Sequence, residues 1–311
     1  MRLKKMLFVM NPYAGQRKGA KNLAQILEIF NRAGYQVNTY MTAGPGDGQK
    51  MVQQCCADAD IVVCCGGDGT FNETVSGMLS AGVSVPVGYI PAGSTNDFAS
   101  SLGLSLDNLQ AAKDIVEGQA TLVDVGLFGS RYFSYVASFG AFTRASYATP
   151  QSMKNVLGHA AYILGGIAEI TQLKTEDVCI ELPDGTKIDG PFIFGTISNS
   201  TSVGGILTLA PDRVDLSDGK LEIMLVRAPK DLVELGEVIA AIQNQTYNCN
   251  AMTFLSTESL KVTANESMSW TLDGEHQEGV SQVDVRCVHH AISIMRRADK
   301  ALPPPTQEEA N

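Results

Sequence analysis

The sequence is poor in positive charge. Lys and Arg total 23 against 33 Asp and Glu, a formal net charge of −10 over 311 residues. A general nucleic-acid binder exposes a basic face, so that class is excluded as a partner. Global charge likewise offers no attraction to an acidic membrane, although a local patch could. Metal-binding and disulfide spacings are also missing. The seven cysteines include two vicinal pairs, Cys55 with Cys56 and Cys64 with Cys65, and no CxxC. An odd total in that pattern fits neither a zinc site nor a disulfide framework. Cys64 and Cys65 close an apolar run, where thiols pack as small hydrophobes, and a reducing cytosol follows.

Long apolar runs are absent as well. "MLFVM" runs straight into Asn11 and Pro12 without a cleavage site, so it reads as a first strand and not as a signal peptide. "VLGHAAYILGGIAEI" (156–170) contains His159, Glu169 and three glycines, too short and mixed for a membrane span. No transmembrane segment is expected. What the chain does have is 44% hydrophobic and 18% charged residues, the mix of a globular protein with a sizeable core. Its length allows two domains.

The first 125 or so residues alternate strand and helix signals. "GAKNLAQILEIFNRAG" sets Leu23, Ile26, Leu27 and Phe30 at helical spacing and stops at Gly34. "YQVNTYMT", "DIVVCC" and "VPVGYIP" read as strands, "DGQKMVQQCCADA" and "FNETVSGMLSAG" as helices. Such alternation implies parallel pairing through crossovers, a doubly wound α/β domain. From about Val123 the texture changes to short strands between turn dipeptides: "RYFSYVASFG", "DVCIELPDGTKIDGPFIFGTISNS", "GKLEIMLVRA", "SLKVTA", "MSWTLDGE" and "SQVDVRCV". Asp184 and Gly185 mark a hairpin, and helices interrupt near 150–172 and 230–244. This half reads as antiparallel and β-rich, closed or sandwich-like. The tail "ADKALPPPTQEEAN" has the composition of a partly disordered segment.

The segment "GGDGT" (66–70), between a buried strand and a helix, has the context of a phosphate site. Glycines allow close backbone approach, and a helix N-terminus supplies N–H groups and a positive dipole. It is neither a Walker A loop nor a GxGxxG fingerprint. "NPYAG" (11–15) and "PAGSTNDFA" (91–99) follow the first and fourth strands, so three polar loops share one sheet edge, where α/β proteins bind ligands. Asp68, Asp97 and Asp124 each end a segment directed at that edge. Carboxylates beside phosphates make sense when Mg²⁺ or its waters lie between them. Asp97 and Asp124 read alone are equally turn or cap aspartates, while Asp68, between glycines, reads as a metal residue. "LDGE" (272–275) reads on its own as a hairpin tip, and "DLSDGK" (215–220) as a turn or a small oxygen-ligand loop.

With these segments, Asn72 and Glu73, "VDVG" and "SNSTSVGGILTLAPDRVDLSDGKLEI", the chain resembles the diacylglycerol kinase catalytic-domain superfamily over about residues 5–295. In particular it looks like that group's bacterial soluble lipid kinases. The resemblance implies an α/β N-terminal domain of the parallel NAD kinase and diacylglycerol kinase type, covering 1–125, to which the chain returns at about 291–311. It implies a β-rich C-terminal sandwich domain, 126–290, holding the substrate site and the catalytic base. The implied reaction is ATP- and Mg²⁺-dependent phosphorylation of diacylglycerol to phosphatidic acid, a step of phospholipid biosynthesis. A kinase of a sphingoid base or glycolipid, an NAD kinase, and a non-catalytic nucleotide-binding relative stand as alternatives.

By the same resemblance, ATP would be held by Asn11, Pro12, Tyr13, Ala14, Gly15, Thr42, Gly67, Asp68, Gly69, Thr70, Phe71, Asn72, Glu73, Ser94 or Thr95, and Asp97. Asp68, Asp97 and Asp124 would form a Mg²⁺-and-water network. Glu275 would be the general base, with Asp273 beside it and Asp68 completing the catalytic set. Asp215, Asp218 and Lys220 would form a structural Mg²⁺ loop, the first and last through carbonyls. The sequence departs from the family at Ser134 or Ser138, where asparagine is frequent, at Ser100, where arginine is frequent, and in "VGGILTLAPD". These departures bear on substrate choice. The expected partner is a lipid at a membrane surface, reached by a cytoplasmic protein that associates transiently; the sequence leaves a homodimer open. The stretch 153–173, with Val156, Leu157, Tyr162, Ile163, Leu164 and Ile167, is the apolar candidate for membrane contact, or an ordinary packed helix.

Overall fold

The structure, a computed structural model, describes residues 3–15, 17–140, 174–203 and 207–297. The chain divides into two units, Met1–Val125 with Val288 onward, and Gly126–Cys287. The return to the first unit thus begins at Val288, a little before the expected 291. The stretch proposed for membrane contact lies within 141–173, outside the described residues.

Unit 1 is built on β1 (Lys4–Met10), β2 (Tyr35–Met41), β3 (Ile61–Gly66) and β4 (Val87–Pro91), all parallel in the order β2-β1-β3-β4. β3 is buried throughout and β1 from Met6 onward, as strands covered on both faces must be. One face is covered by α1 (Lys18–Arg32), whose Ile26 and Phe30 are fully buried, and α5 (Asn108–Glu117), which begins on the Asp107 side-chain cap. Helices α2 (Asp47–Cys55) and α3 (Asp68–Ser80) cross at Gly77. A Cβ there would lie 2.6 Å from the Gln49 carbonyl oxygen, so glycine sets how close the two helices come. The short α4 (Asp97–Ser101) follows β4. The sequence pattern starts the third helix at Phe71; the structure starts it at Asp68, with the Phe71 amide already bonded to the Gly67 carbonyl. Gly69 is thus helical despite its composition. The five-residue α4 is too short for apolar periodicity to stand out in the sequence.

The chain leaves unit 1 in β5 (Gln119–Phe128). Unit 2 contains β6 (Arg131–Phe133), β7 (Val136–Gly140), β8 (Glu176–Glu181), β9 (Lys187–Ser198), the ribbon β10 (Ser202–Val203) and β11 (Leu207–Thr208), and β12 (Leu221–Arg227). These are followed by α6 (Leu232–Gln243), β13 (Met252–Thr257), β14 (Ser259–Ala264), β15 (Trp270–Leu272), β16 (Glu275–Gln277) and β17 (Gln282–Arg296), which carries the chain back. Pairing within the unit is antiparallel. β9 pairs with β8 through Phe192; beyond it, Phe194–Ser198 lies between β7 and β12. Trp270 fills the core edge-on to Phe128 and Phe139, at 4.9 and 5.0 Å between ring centres. "RYFSYVASFG", expected as one strand, is two, because the amides of Ser134, Tyr135 and Val136 turn to the Asp273 carboxylate.

Candidate active site

The parallel register places the carboxyl ends of β1, β2, β3 and β4 on one edge of unit 1. The ladder continues into the loops: the amide of Asn11 bonds the Cys65 carbonyl, that of Thr42 the Met10 carbonyl, and that of Ala92 the Gly66 carbonyl. The three polar loops read from the sequence therefore meet in space. Their backbones touch, since a Cβ on Gly93 would lie 2.6 Å from the Gly67 Cα, and one on Gly15 2.5 Å from the Ala92 oxygen. Glycine is required at both places for the loops to approach.

Helix α3 starts at this edge with Gly67 as its N-cap, and no side chain caps it. A helix start presents its first N–H groups, and the dipole adds positive potential. Asn11 donates from Nδ2 to the Thr70 hydroxyl at 3.4 Å, while its Oδ1 accepts the Tyr13 amide at 2.9 Å, fixing the first loop over the helix start. Tyr13 is exposed at 66%, with the Arg17 guanidinium 5.5 Å above its ring. Ser94 and Thr95 are exposed at the third loop, whereas Thr42 is buried beside Gly48.

Asp68 sits in the first turn of α3, but its carboxylate faces the neighbouring helix. Oδ2 accepts the Asp97 amide at 3.0 Å; Oδ1 accepts the Phe98 amide at 3.3 Å and the Tyr89 hydroxyl at 3.4 Å. It thereby caps α4, whose own N-cap residue is committed elsewhere. Asn96, at φ 55°, exchanges two hydrogen bonds with Gly93 through its side chain. Asp68 and Asp97 are thus brought together. Two other residues expected at a nucleotide have their side chains engaged within the protein. Phe71 is fully buried, stacked on Tyr89 at 4.5 Å, so only its backbone is available. Glu73 accepts the amides of Gly46 and Gly48 at 2.6 and 3.0 Å and so fixes the start of α2. Asn72 accepts from the Ser76 hydroxyl within α3.

Asp124, wholly buried on β5, engages a pair that sequence reading missed. Its Oδ1 accepts the His290 amide at 2.6 Å and lies 3.1 Å from His289 Nδ1. Among the described residues this is the one cluster of three His, Cys, Asp or Glu side chains whose ligand atoms converge within 4.8 Å. Asp68, Asp97 and Asp124 do not form such a cluster, so a shared cation would need water between it and some of them. The signal available in the sequence was the doubled histidine in a strand, where one ring is expected on each face.

In unit 2, "LDGE" is a two-residue hairpin with Leu272 paired to Glu275. Asp273 and Gly274 have φ of 50° and 84°, as a type I′ turn requires. The tip is not an ordinary solvated one. Asp273 is buried, and its carboxylate accepts the amides of Ser134, Tyr135 and Val136. That anchor holds the next residue but one, Glu275, at the exposed start of β16, where Oε2 is 2.6 Å from the Arg131 guanidinium. Arg131, which also reaches the His276 carbonyl, was not foreseen.

The 215–220 loop makes two turns on its own carboxylates: Asp215 accepts the Ser217 amide and Asp218 the Lys220 amide. Glu222, two residues on, is buried, and its Oε2 makes no hydrogen bond. Burial, with the charges of Asp218 and Asp215 added, pushes its carboxyl up to about 8. The Asp218 and Asp215 charges beside Glu222 suit a hard, oxygen-preferring cation at the loop.

Residues 5–128 match the family model for the diacylglycerol kinase catalytic domain, and residues 136–296 that for the YegS C-terminal NAD kinase beta sandwich-like domain. The chain belongs to the diacylglycerol kinase family. A diacylglycerol kinase of Bacillus subtilis is 32% identical over 276 residues, 88% of this chain and 90% of the relative. One of Staphylococcus haemolyticus is 30% identical over 270 residues, 86% and 81% of the two chains. A crystal structure of a diacylglycerol kinase from Bacillus anthracis superposes with a TM-score of 0.72 at 21% identity, covering 97% of this chain and all of the other. Unit 1 is therefore the kinase family's α/β domain and unit 2 its β-sandwich, and the protein is a lipid kinase that uses a nucleotide. Among the described residues no helix is long and apolar enough to cross a membrane.

Proposed function

We propose that this kinase transfers the γ-phosphoryl group of ATP, with Mg²⁺, to the free hydroxyl of diacylglycerol, giving phosphatidic acid. The observation that carries the reading is the uncapped α3 N-terminus beneath three glycine loops, in a chain 32% identical to a diacylglycerol kinase over 88% of its length. The first amides of α3 and the backbone of Gly67 and Gly93 bind phosphate oxygens, with Asn11 holding the first loop in place. Asp68, Asp97 and Asp124 would hold Mg²⁺ through water, and Asp215, Asp218 and Lys220 a structural Mg²⁺. The three spread aspartates fit a hydrated ion, and at the 215–220 loop a cation would offset the Asp218 and Asp215 charges, which add to burial in raising the Glu222 carboxyl. When bound, Mg²⁺ neutralises charge on the phosphates.

Glu275 accepts the proton of the lipid hydroxyl as that oxygen attacks. Its exposure lets it meet a substrate, and Arg131 orients it until the hydroxyl arrives. Asp273 is a positioning residue, fixing the hairpin from which Glu275 projects.

The test is labelled ATP with mixed micelles of diacylglycerol. Wild type transfers phosphate only with Mg²⁺, and Glu275→Ala lowers kcat at least about a hundredfold, the usual scale of general-base loss. Equal rates in the two proteins would remove Glu275 from the mechanism. Ser100, Ser134 and Ser138, where the family favours other side chains, support a second reading in which a sphingoid base or glycolipid is the acceptor. An acceptor panel separates the two, and NADP formation from NAD would point to neither.

A further inference from the structure

We propose that Asp124, His289 and His290 form a binding site for a nitrogen-preferring first-row divalent cation, for which Zn²⁺ is the probe. Neighbouring residues of a strand normally face opposite sides. His290 breaks that alternation with φ 51°, and its ring stacks on that of His289 with centres 3.6 Å apart and planes 28° from parallel. Both imidazoles therefore gather at one carboxylate, and each of the three residues offers a ligand atom within 4.8 Å of the others. Ligands about 2.0–2.1 Å from Zn²⁺ in a tetrahedron lie about 3.3 Å apart. Closing to that spacing asks for small rotations of two exposed rings, while Asp124 stays fixed by the His290 amide.

The donor set decides the ion. Mg²⁺ prefers oxygen and keeps its waters, whereas two imidazoles with one carboxylate suit Zn²⁺ and its neighbours. A cation here also neutralises a carboxylate that is 0% exposed. The functional consequence rests on the reaction proposed above. A Zn²⁺ ion on Asp124 withdraws that carboxylate from the Mg²⁺ network, so Zn²⁺ inhibits transfer and Mg²⁺ relieves the inhibition.

Binding is measured first, on the full chain without Mg²⁺, by Zn²⁺ competition against a chromophoric chelator. Wild type should hold one equivalent that His289→Ala and His290→Ala each weaken at least tenfold and the double variant loses. Every variant keeps all seven cysteines, so thiol binding cancels in the comparison. Circular dichroism confirms that the variants fold. Substituting Co²⁺ supplies a second readout, a visible spectrum of nitrogen and oxygen ligation in wild type that disappears in the double variant. Unchanged Zn²⁺ stoichiometry and affinity in the double variant, or a purely thiolate Co²⁺ spectrum, would overturn the site and leave a hydrogen-bonded Asp–His pair. If binding behaves as expected but transfer ignores Zn²⁺, the site stands and the place of Asp124 in the reaction falls.

Discussion

Asp68 and Asp273 use one device. Each carboxylate accepts backbone amides from a segment far away in sequence, two from Asp97 and Phe98 in the first case and three from Ser134, Tyr135 and Val136 in the second. Buried amides without acceptors are costly, so Asp273→Ala should destabilise unit 2 by about 2–4 kcal/mol. Denaturant unfolding measures this; a change under 0.5 kcal/mol, within ordinary surface-substitution scatter, would contradict it. Glu222 gives a pH signature. Its folded carboxyl titrates near 8, above its ordinary value of 4.5, so the folded state holds the proton more tightly than the unfolded state. Its contribution is complete below about 4.5 and is lost as pH rises through 8. With metals chelated, Glu222→Gln should flatten the stability profile between those values and be the more stable protein at pH 9. Thermal unfolding across that range gives the comparison.

At the scale of elements, the binding edge depends on how loops pack against helix starts. A methyl group on Gly93 meets the Gly67 backbone, which has no side chain to swing aside. Gly93→Ala should therefore raise the KM for ATP several-fold and also lower the melting temperature, because the loop backbones must move apart, read from steady-state kinetics beside a melting curve. An unchanged KM would separate these loops from the nucleotide. The three loops themselves were legible, because glycine and short polar residues after apolar runs mark strand ends. Their partners were not: Asp68 as a cap for α4, Glu73 as a tether for α2, and Arg131 opposite Glu275 all join positions that no local pattern relates.

On the scale of the whole molecule, β17 serves two units. Val283 and Val285 belong to the core of unit 2, whereas Ile294 pairs with Val87 and Met295 packs in the core of unit 1. A chain ending at Cys287 should lose hydrogen-exchange protection in β3 and β4, while β7, β9 and β12 keep theirs. Equal protection throughout would show that unit 1 does not need the returning strand. The same return brings His289 and His290 to Asp124.

The sequence by itself determined the strand and helix alternation of unit 1, the turn-punctuated β texture of unit 2, and the motifs that carry the family resemblance. Each is written in neighbouring residues, through periodicity, glycine placement and dipeptide turns. Tertiary structure alone decided which carboxylates face backbone amides, that Glu275 is paired to an arginine, and that two adjacent histidines share one face with a buried aspartate. Those outcomes depend on contacts across up to 166 positions, and on a single left-handed residue in a strand, neither of which has a local signal.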